Sequence, residues 1–213
     1  MTTLRLLPFA ALLALPLTAL AQSPTYSGEA AAVKADVLGI INAAISDTGP
    51  LSPTGGSFSA TLLDLQLPPT LTLNLLSGST QGSNNTVNSQ ASVTNVSVNI
   101  AGVHITASVL TSNATAFCSA STANDSGSST IVGLRVNGLS IKVTGEPNQT
   151  IPLIVGSLVI NEQISSVSIN PSANSANMLV NALHLRVLGI ADVAISSSQA
   201  GMSCPAGGGV SPE

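Results

Sequence analysis

Apolar and polar residues alternate along much of this chain with a period of two. The alternation is clearest in residues 70–75, 96–100, 103–109 and 183–187, and Gly or Pro residues separate these segments. This period is typical of β-strands with one buried and one solvated face, because successive side chains point to opposite faces of a sheet. The pattern predicts an all-β fold, a two-sheet antiparallel sandwich, with a partly open β-barrel as the alternative.

Residues 29–45 are the exception, because their apolar residues lie near helical spacing. The segment also contains several Val and Ile residues and Gly39, all of which are poor helix formers. The sequence leaves helix and strand open here. The predicted fold therefore allows for one short N-terminal helix.

The alternation changes phase inside two of the predicted strands. In residues 57–67 the apolar set moves from even to odd positions between Leu62 and Leu63, and after Val109 it moves from odd to even positions. Such a shift sends every later side chain to the other face. A β-bulge, or a bend where a strand crosses between two sheets, would explain it, which favours a sandwich or barrel over a flat sheet.

Asn137-Gly138 predicts a two-residue hairpin, because both central positions of a type I′ turn need positive φ. The hairpin would place Val136 opposite Leu139. Its apolar face would then extend through the second strand as far as Val143.

The chain has two cysteines, Cys118 and Cys204. In an exported protein an even pair predicts a disulfide. Two buried thiols or half of a metal site are the alternatives, but neither cysteine has a His or Cys at metal-ligand spacing. Each cysteine also ends one copy of a weak internal repeat, residues 93–118 and 179–204. Gene duplication and the mere likeness of two strand pairs both explain the repeat, and a disulfide would place its copies side by side.

Residues 1–21 have the features of a secretory signal peptide. Arg5 is followed by an interrupted apolar run and by the small-residue cleavage site Ala19-Leu20-Ala21. An N-terminal membrane anchor is the alternative, although the run is short for one. We expect a single β-rich domain over residues 22–204, a flexible tail over 205–213, and no membrane span in the mature chain.

Composition narrows the classes of function. Charged residues make up 7% of the chain, aromatic residues 2% and hydrophobic residues 44%, and the net charge is −4. The few basic residues are scattered, which excludes nucleic acid as an expected partner. The acidic residues are scattered too. We expect no cofactor and no metal, and the expected partners are cell-surface or matrix components, or a second copy of the chain.

A longer likeness is carried by four strings: S-S-T-I-V-G-L-R-V-N-G from Ser128, V-T-G-E-P-N-Q-T-I-P-L from Val143, G-S-L-V-I-N-E-Q from Gly156, and N-A-L-H-L-R-V-L-G-I-A-D-V-A-I-S-S-S-Q-A-G-M-S-C from Asn181. In these strings the chain resembles the choice-of-anchor P family of exported bacterial proteins. The resemblance implies a secreted or surface module and brings no catalytic residues with it. The chain departs from the family in having no evident anchor.

Candidate catalytic residues are few. His104 and His184 both lie on the polar phase of a predicted strand, where a solvated residue is the simpler interpretation. Asp192 follows His184 by eight positions, so a Ser-His-Asp triad is conceivable, but no G-x-S-x-G nucleophile elbow is present. Asp125 lacks the D-x-D-x-D-G pattern of a calcium loop and indicates a turn.

A carboxylate pair for glycoside chemistry could come from Glu146, Glu162 and Asp192. Sugar clefts usually offer aromatic side chains, and the mature chain has only Tyr26, Phe58 and Phe117. The simpler interpretation of Glu162 is a polar residue at a strand end that pairs with the backbone or with an arginine.

We therefore expect a non-enzymatic secreted or cell-surface module, structural or adhesive, with no catalytic residue and no assignable ligand site. The alternative is a carbohydrate-binding or carbohydrate-acting extracellular protein. Convergence of the acids with a histidine in one pocket would favour the alternative.

Overall fold

The computed structural model describes residues 23–38, 41–67 and 70–205, and these residues form two antiparallel β-sheets packed as a sandwich. Both the predicted class and the predicted sandwich are confirmed. The strands are β1 (Thr25–Val37), β2 (Ile41–Asp47), β3 (Gly56–Leu67), β4 (Leu71–Ser83), β5 (Thr86–Ile100), β6 (Val103–Ser119), β7 (Thr122–Val132), β8 (Arg135–Val136), β9 (Leu139–Ser140), β10 (Gln149–Leu153), β11 (Gly156–Ile169), β12 (Ala173–Val187) and β13 (Ala191–Pro205).

The first sheet has the order β10-β11-β12-β13-β1-β2. The second has the order β3-β4-β5-β6-β8-β9, with β7 also pairing with β6. The described part of the chain contains no helix, so the possible N-terminal helix is wrong. Its segment forms β1 and β2, whose Val and Ile residues suit a pleated surface better than a helix. No helix long and apolar enough to cross a membrane occurs among the described residues.

The interior divides into two hydrophobic clusters along the strands. The larger cluster lies towards the β1–β2, β5–β6, β8–β9 and β12–β13 turns and includes Leu73, Ile105 and Leu185. The smaller one lies at the opposite end and includes Met178 and Met202. Polar side chains separate the clusters.

A row of left-handed residues crosses the first sheet at the level of this polar layer. Ser46 in β2, Ser196 in β13 and Asn161 in β11 all have positive φ, between 48° and 56°. The regular pairing of the ladder is interrupted at each of them. The Ser196 hydroxyl points into the sandwich, where it donates to the Ala91 carbonyl at 2.9 Å and lies 3.2 Å from the hydroxyl of Ser112.

The second sheet has a matching row, formed by Leu75 in β4, Asn95 in β5 and Gly133 after β7. These residues account for both predicted phase breaks. The break in β3 lies at Leu63, which is opposite Leu75 where the pairing of β4 is irregular. The break in β6 lies where its buried positions change phase beside Asn95 and Gly133. The breaks are therefore left-handed interruptions at one level of the sheet, without a register shift between β3 and β4 or between β5 and β6, and no strand crosses between the sheets.

The predicted hairpin is present in the predicted register. Asn137 and Gly138 both have positive φ, and Val136 pairs with Leu139. Its ladder is shorter than predicted, with two residues in each strand, and Leu139 is exposed. The Ile141 amide still donates to the Leu134 carbonyl, and Ile141 and Val143 pack against the core, but Val132 pairs with Val109 instead of Val143. The left-handed Gly133 ends β7 and separates it from β8, which prevents a longer hairpin.

Cys118 and Cys204 form the predicted disulfide, with Cα atoms 5.7 Å apart and 86 positions between them in sequence. The bond joins β6 of one sheet to β13 of the other, at the end that holds the smaller cluster. The two repeat copies are the hairpins β5–β6 and β12–β13. They face each other across the sandwich and so do not lie side by side within one sheet.

The predicted signal peptide, residues 1–21, lies outside the described residues, as does residue 22 at the start of the predicted domain. Of the predicted tail, Pro205 belongs to β13, and residues 206–213 also lie outside.

Candidate functional site

The most concentrated chemistry of the described chain is an ionic cluster on the outer face of the first sheet. His184 lies at its centre. Its Nδ1 is 2.6 Å from Oε2 of Glu162, and its Nε2 is 2.6 Å from Oδ1 of Asp192. The Arg186 guanidinium is 3.2 Å from Oε1 of Glu162, and the Asn181 amide donates to Oε2 at 2.7 Å.

Three adjacent strands bring these residues together. Glu162 in β11 pairs with Asn181 in β12, and Arg186 in β12 pairs with Asp192 in β13. His184 projects from β12 between these two pairs, so it meets a carboxylate from each neighbouring strand.

The left-handed Asn161 turns Glu162 to the outer face. Leu158 and Ile160 lie in the core, and Glu162 would follow them inward if β11 alternated regularly. The positive φ of Asn161 shifts the phase by one residue. The local backbone therefore keeps a carboxylate out of the apolar interior and directs it towards Asn181 and His184.

Burial differs across the cluster. The Glu162 side chain is 7% exposed and that of His184 is 9% exposed, whereas the Asp192 side chain is 61% exposed. A carboxylate faces each ring nitrogen, so the protonated ring can donate from both. The cluster thus places two carboxylates on one histidine, one buried and one at the surface.

The pKa values move in the directions that this pairing requires. Burial alone would lower the pKa of His184, but hydrogen bonds to Glu162 and Asp192, together with their charges, raise it above its usual 6.5. Burial alone would raise the pKa of Glu162, but bonds from His184 and Asn181 and the charges of His184 and Arg186 lower it below its usual 4.5.

An open groove of about 640 Å³ lies beside the cluster, over β1, β12 and β13. Its lining includes the ion pair between Lys34 and Glu29, the carboxylate residue Asp36 and the amide residue Gln199. Beneath the groove, the buried Oδ1 of Asn181 has no hydrogen-bond partner within the described residues. Asp36 in β1 and Asp192 in β13 form a cross-strand pair, so two carboxylates lie next to each other on the outer face.

Three of the candidate residues converge: Glu162, His184 and Asp192. The expectation that the acids are scattered is therefore wrong for this face, because strand pairing joins positions far apart in sequence. His184 is buried and not solvated. Glu162 lies inside β11 and not at its end, although its pairing with an arginine is confirmed.

The other candidates lie elsewhere. His104 is on β6 of the second sheet, where its Nε2 is 3.3 Å from the Ser97 hydroxyl. Glu146 lies in the exposed loop between β9 and β10. Asp125 is part of β7 and not of a turn, and its carboxylate accepts a bond from Ser165.

The geometry limits what the cluster can do chemically. A serine nucleophile would need the second ring nitrogen of His184, which Glu162 occupies. A glycosidase acid needs a carboxyl group with a raised pKa, and that of Glu162 is lowered. Across the described ranges, no group of three or more His, Cys, Asp or Glu side chains is arranged to hold a metal ion.

Sequence reasoning missed Asn181, Arg186 and the orienting role of Asn161. The sequence carried only a weak signal for them. His184 and Arg186 are two residues apart and so lie on one face of a strand, and a phase break between Asn181 and His184 adds Asn181 to the same face. Only the register of β11 against β12 shows that they share Glu162.

Comparisons of this chain with protein-family models, with curated proteins and with solved structures found no match. The resemblance to the choice-of-anchor P family therefore stays a prediction.

Proposed function

We propose that this chain is a secreted or cell-surface structural or adhesive module that acts by surface contact and not by catalysis. The observation that carries the proposal is the pairing of His184, whose two ring nitrogens are both bound to carboxylates. A general base needs a free nitrogen within reach of a substrate proton. The cysteines are committed to a disulfide in the same way.

Exposed aliphatic side chains at the turns supply a surface for contact. Leu38, Leu139, Ile154 and Leu188 are each more than two-thirds exposed, and we call them the apolar turn end. The Leu38 amide donates to Ile190, and the Leu188 amide donates to Val155, so three of the turns adjoin. Exposed apolar patches of this kind commonly mark sites of interaction.

The first test is an activity screen on polysaccharide, ester and peptide substrates. We expect no turnover, because the candidate acid and base are paired with each other. Turnover by the native protein that is lost in Glu162→Gln or His184→Ala would overturn the proposal.

The second test measures adsorption of the folded protein to apolar, glycan-coated and protein-coated sensor surfaces. Leu188→Lys should reduce binding, because it places a charge in the apolar turn end. Val167→Lys is the matched control, since Val167 is an exposed aliphatic residue near the other end of β11. Equal binding by both variants and the native protein would contradict a role for the turns.

Carbohydrate binding is a second candidate, favoured by the groove beside the cluster. The carboxylate of Asp36 and the amide of Gln199, which line the groove, are groups that bind sugar hydroxyls. Tyr26, Phe58 and Phe117 do not line this groove, so a sugar would bind without an aromatic platform. Calorimetry with soluble polysaccharides tests this candidate. Binding that Gln199→Ala weakens and Gln90→Ala, on the other sheet, leaves unchanged would support it.

A further inference from the structure

The strand β3 is an exposed edge of the sandwich. Among the described residues it pairs only with β4, so none of them pairs with the other side of its 12-residue backbone. It contains no proline and one charged residue, Asp64. Proline, lysine and short length are the features that usually prevent an edge strand from pairing with another chain.

One face of β3 is an apolar stripe, formed by Phe58, Ala60, Leu62 and Leu65. Each lies opposite a buried position of β4, which places the stripe on the inner side of the sheet. Phe58 is nevertheless 44% exposed and Leu62 is 38% exposed.

The stripe is exposed because the facing sheet ends too early. Its edge strand β2 has seven residues, against 12 in β3, and only part of β3 has a strand across from it. Phe58 and Leu62 are therefore accessible along this side, whereas Leu73 and Leu76 behind them are buried.

We propose that β3 pairs antiparallel with β3 of a second copy of this chain. The inference deepens the proposed function, on which it rests, by naming the partner of one contact surface. Pairing would supply hydrogen-bond partners to the free backbone edge and join the two seven-stranded sheets. A two-fold axis perpendicular to the sheet keeps both apolar stripes on the inner side, where they extend each other.

Charge and the residues towards the ends of β3 both suit a second copy. In the centred register, Phe58 of one copy lies opposite Leu65 of the other, and this contact occurs twice. Asp64 lies opposite Ser59, so the two Asp64 residues are about five residue steps, roughly 17 Å, apart. This separation exceeds the screening length at physiological salt, and their repulsion is small.

The available area indicates reversible association. A strand of 12 residues is about 40 Å long, and the edge of a two-sheet sandwich is about 10 Å thick, which gives a total buried area of about 800 Å² for two copies. Stable complexes bury about 1,200 Å² or more. We therefore expect a dissociation constant in the range of about 1–100 μM.

Sedimentation velocity on the purified native protein, over a concentration series up to about 500 μM, tests the pairing. We expect a monomer that becomes a dimer. Leu62→Lys and Phe58→Lys should each weaken dimerisation at least about tenfold, while circular dichroism confirms that both variants are folded. Ile164→Lys, at a comparably exposed position on β11, is the matched control and should leave the dimer unchanged.

Hydrogen exchange at the same concentrations locates the contact. Amides in residues 56–67 should gain protection as the dimer forms. A protein that stays monomeric throughout, a dimer that Ile164→Lys disrupts and Leu62→Lys does not, or a dimer without added protection in β3 would each overturn the pairing. These measurements use no substrate or target surface, so their failure leaves the activity and adsorption tests of the proposed function standing.

Discussion

Replacing His184 with glutamine should destabilise the protein most at mildly acidic pH. The bond from His184 to the buried Glu162 is charge-assisted and contributes about 1.5–3 kcal/mol. The bond to Asp192 contributes at most about 1 kcal/mol, because that carboxylate is 61% exposed. In the variant Arg186 still pairs with Glu162, and the Asn181 amide still donates to it. We therefore expect a loss of about 2–4 kcal/mol, somewhat below the roughly 3–5 kcal/mol for breaking a buried pair with no remaining partner.

The pH dependence follows from the two pKa directions. The pKa of His184 is raised in the folded protein, so its contribution is complete below 6.5 and is lost as pH rises through the folded value. The pKa of Glu162 is lowered, so its contribution is complete above 4.5 and is lost as pH falls through the folded value. The cluster should stabilise the fold most between these two usual values.

Denaturant unfolding at a series of pH values measures both effects. The native protein should lose unfolding free energy above pH 6.5, and His184→Gln should lack that decline. His104→Gln is the matched control, because His104 is the other histidine of the chain and lies on the opposite sheet. An alkaline decline that persists in His184→Gln, or that disappears in His104→Gln, would refute the reasoning.

Three further predictions concern stability. Replacing Cys118 and Cys204 together with serine should lower the unfolding free energy by about 4–5 kcal/mol, as calorimetry would measure, because the disulfide closes a loop with a separation of 86. Gly138→Val should cost about 1–2 kcal/mol in denaturant unfolding, because a β-branched residue resists the φ of 80°. Ser196→Ala should lower the unfolding free energy by about 1–3 kcal/mol, because it removes the hydroxyl that donates to Ala91. Ser198→Ala should be near neutral, since the buried Ser198 hydroxyl has no partner within the described residues. Equal effects of the two substitutions would contradict the role given to the Ser196 bonds.

Local patterns predicted the features that depend on neighbouring residues. The period of two indicated strands, and Asn137-Gly138 fixed a turn through its need for positive φ. The phase breaks near Leu63 and Val109 marked the level of the left-handed row, although they are not bulges. The two-cysteine composition predicted the disulfide because an exported chain with one pair has one pairing.

The cluster could not be predicted because it depends on pairing between distant strands. Glu162 and His184 are separated by the whole turn between β11 and β12, and their contact requires both the register of those strands and the left-handed Asn161. Before that conformation is known, alternation from Leu158 and Ile160 would place Glu162 in the core. The length of the β8–β9 hairpin could not be predicted either. The sequence did not show that Gly133 is left-handed, and a glycine is equally compatible with a regular strand.

The left-handed rows also bear on how such a chain avoids misfolding. Its strands are built largely from Ser, Thr, Ala and Val, so a strand shifted along its neighbour by two residues would still present apolar side chains inward. Ser196 and Asn95 each change the phase of their strand at the level where the neighbouring strands change theirs. In a shifted strand, the phase break would no longer be level with the breaks of its neighbours. The side chains between the two displaced breaks would then face the wrong way. The rows therefore help to specify the register of the strands during folding, because a register shift is energetically costly at the rows even though the composition of the strands alone would tolerate it.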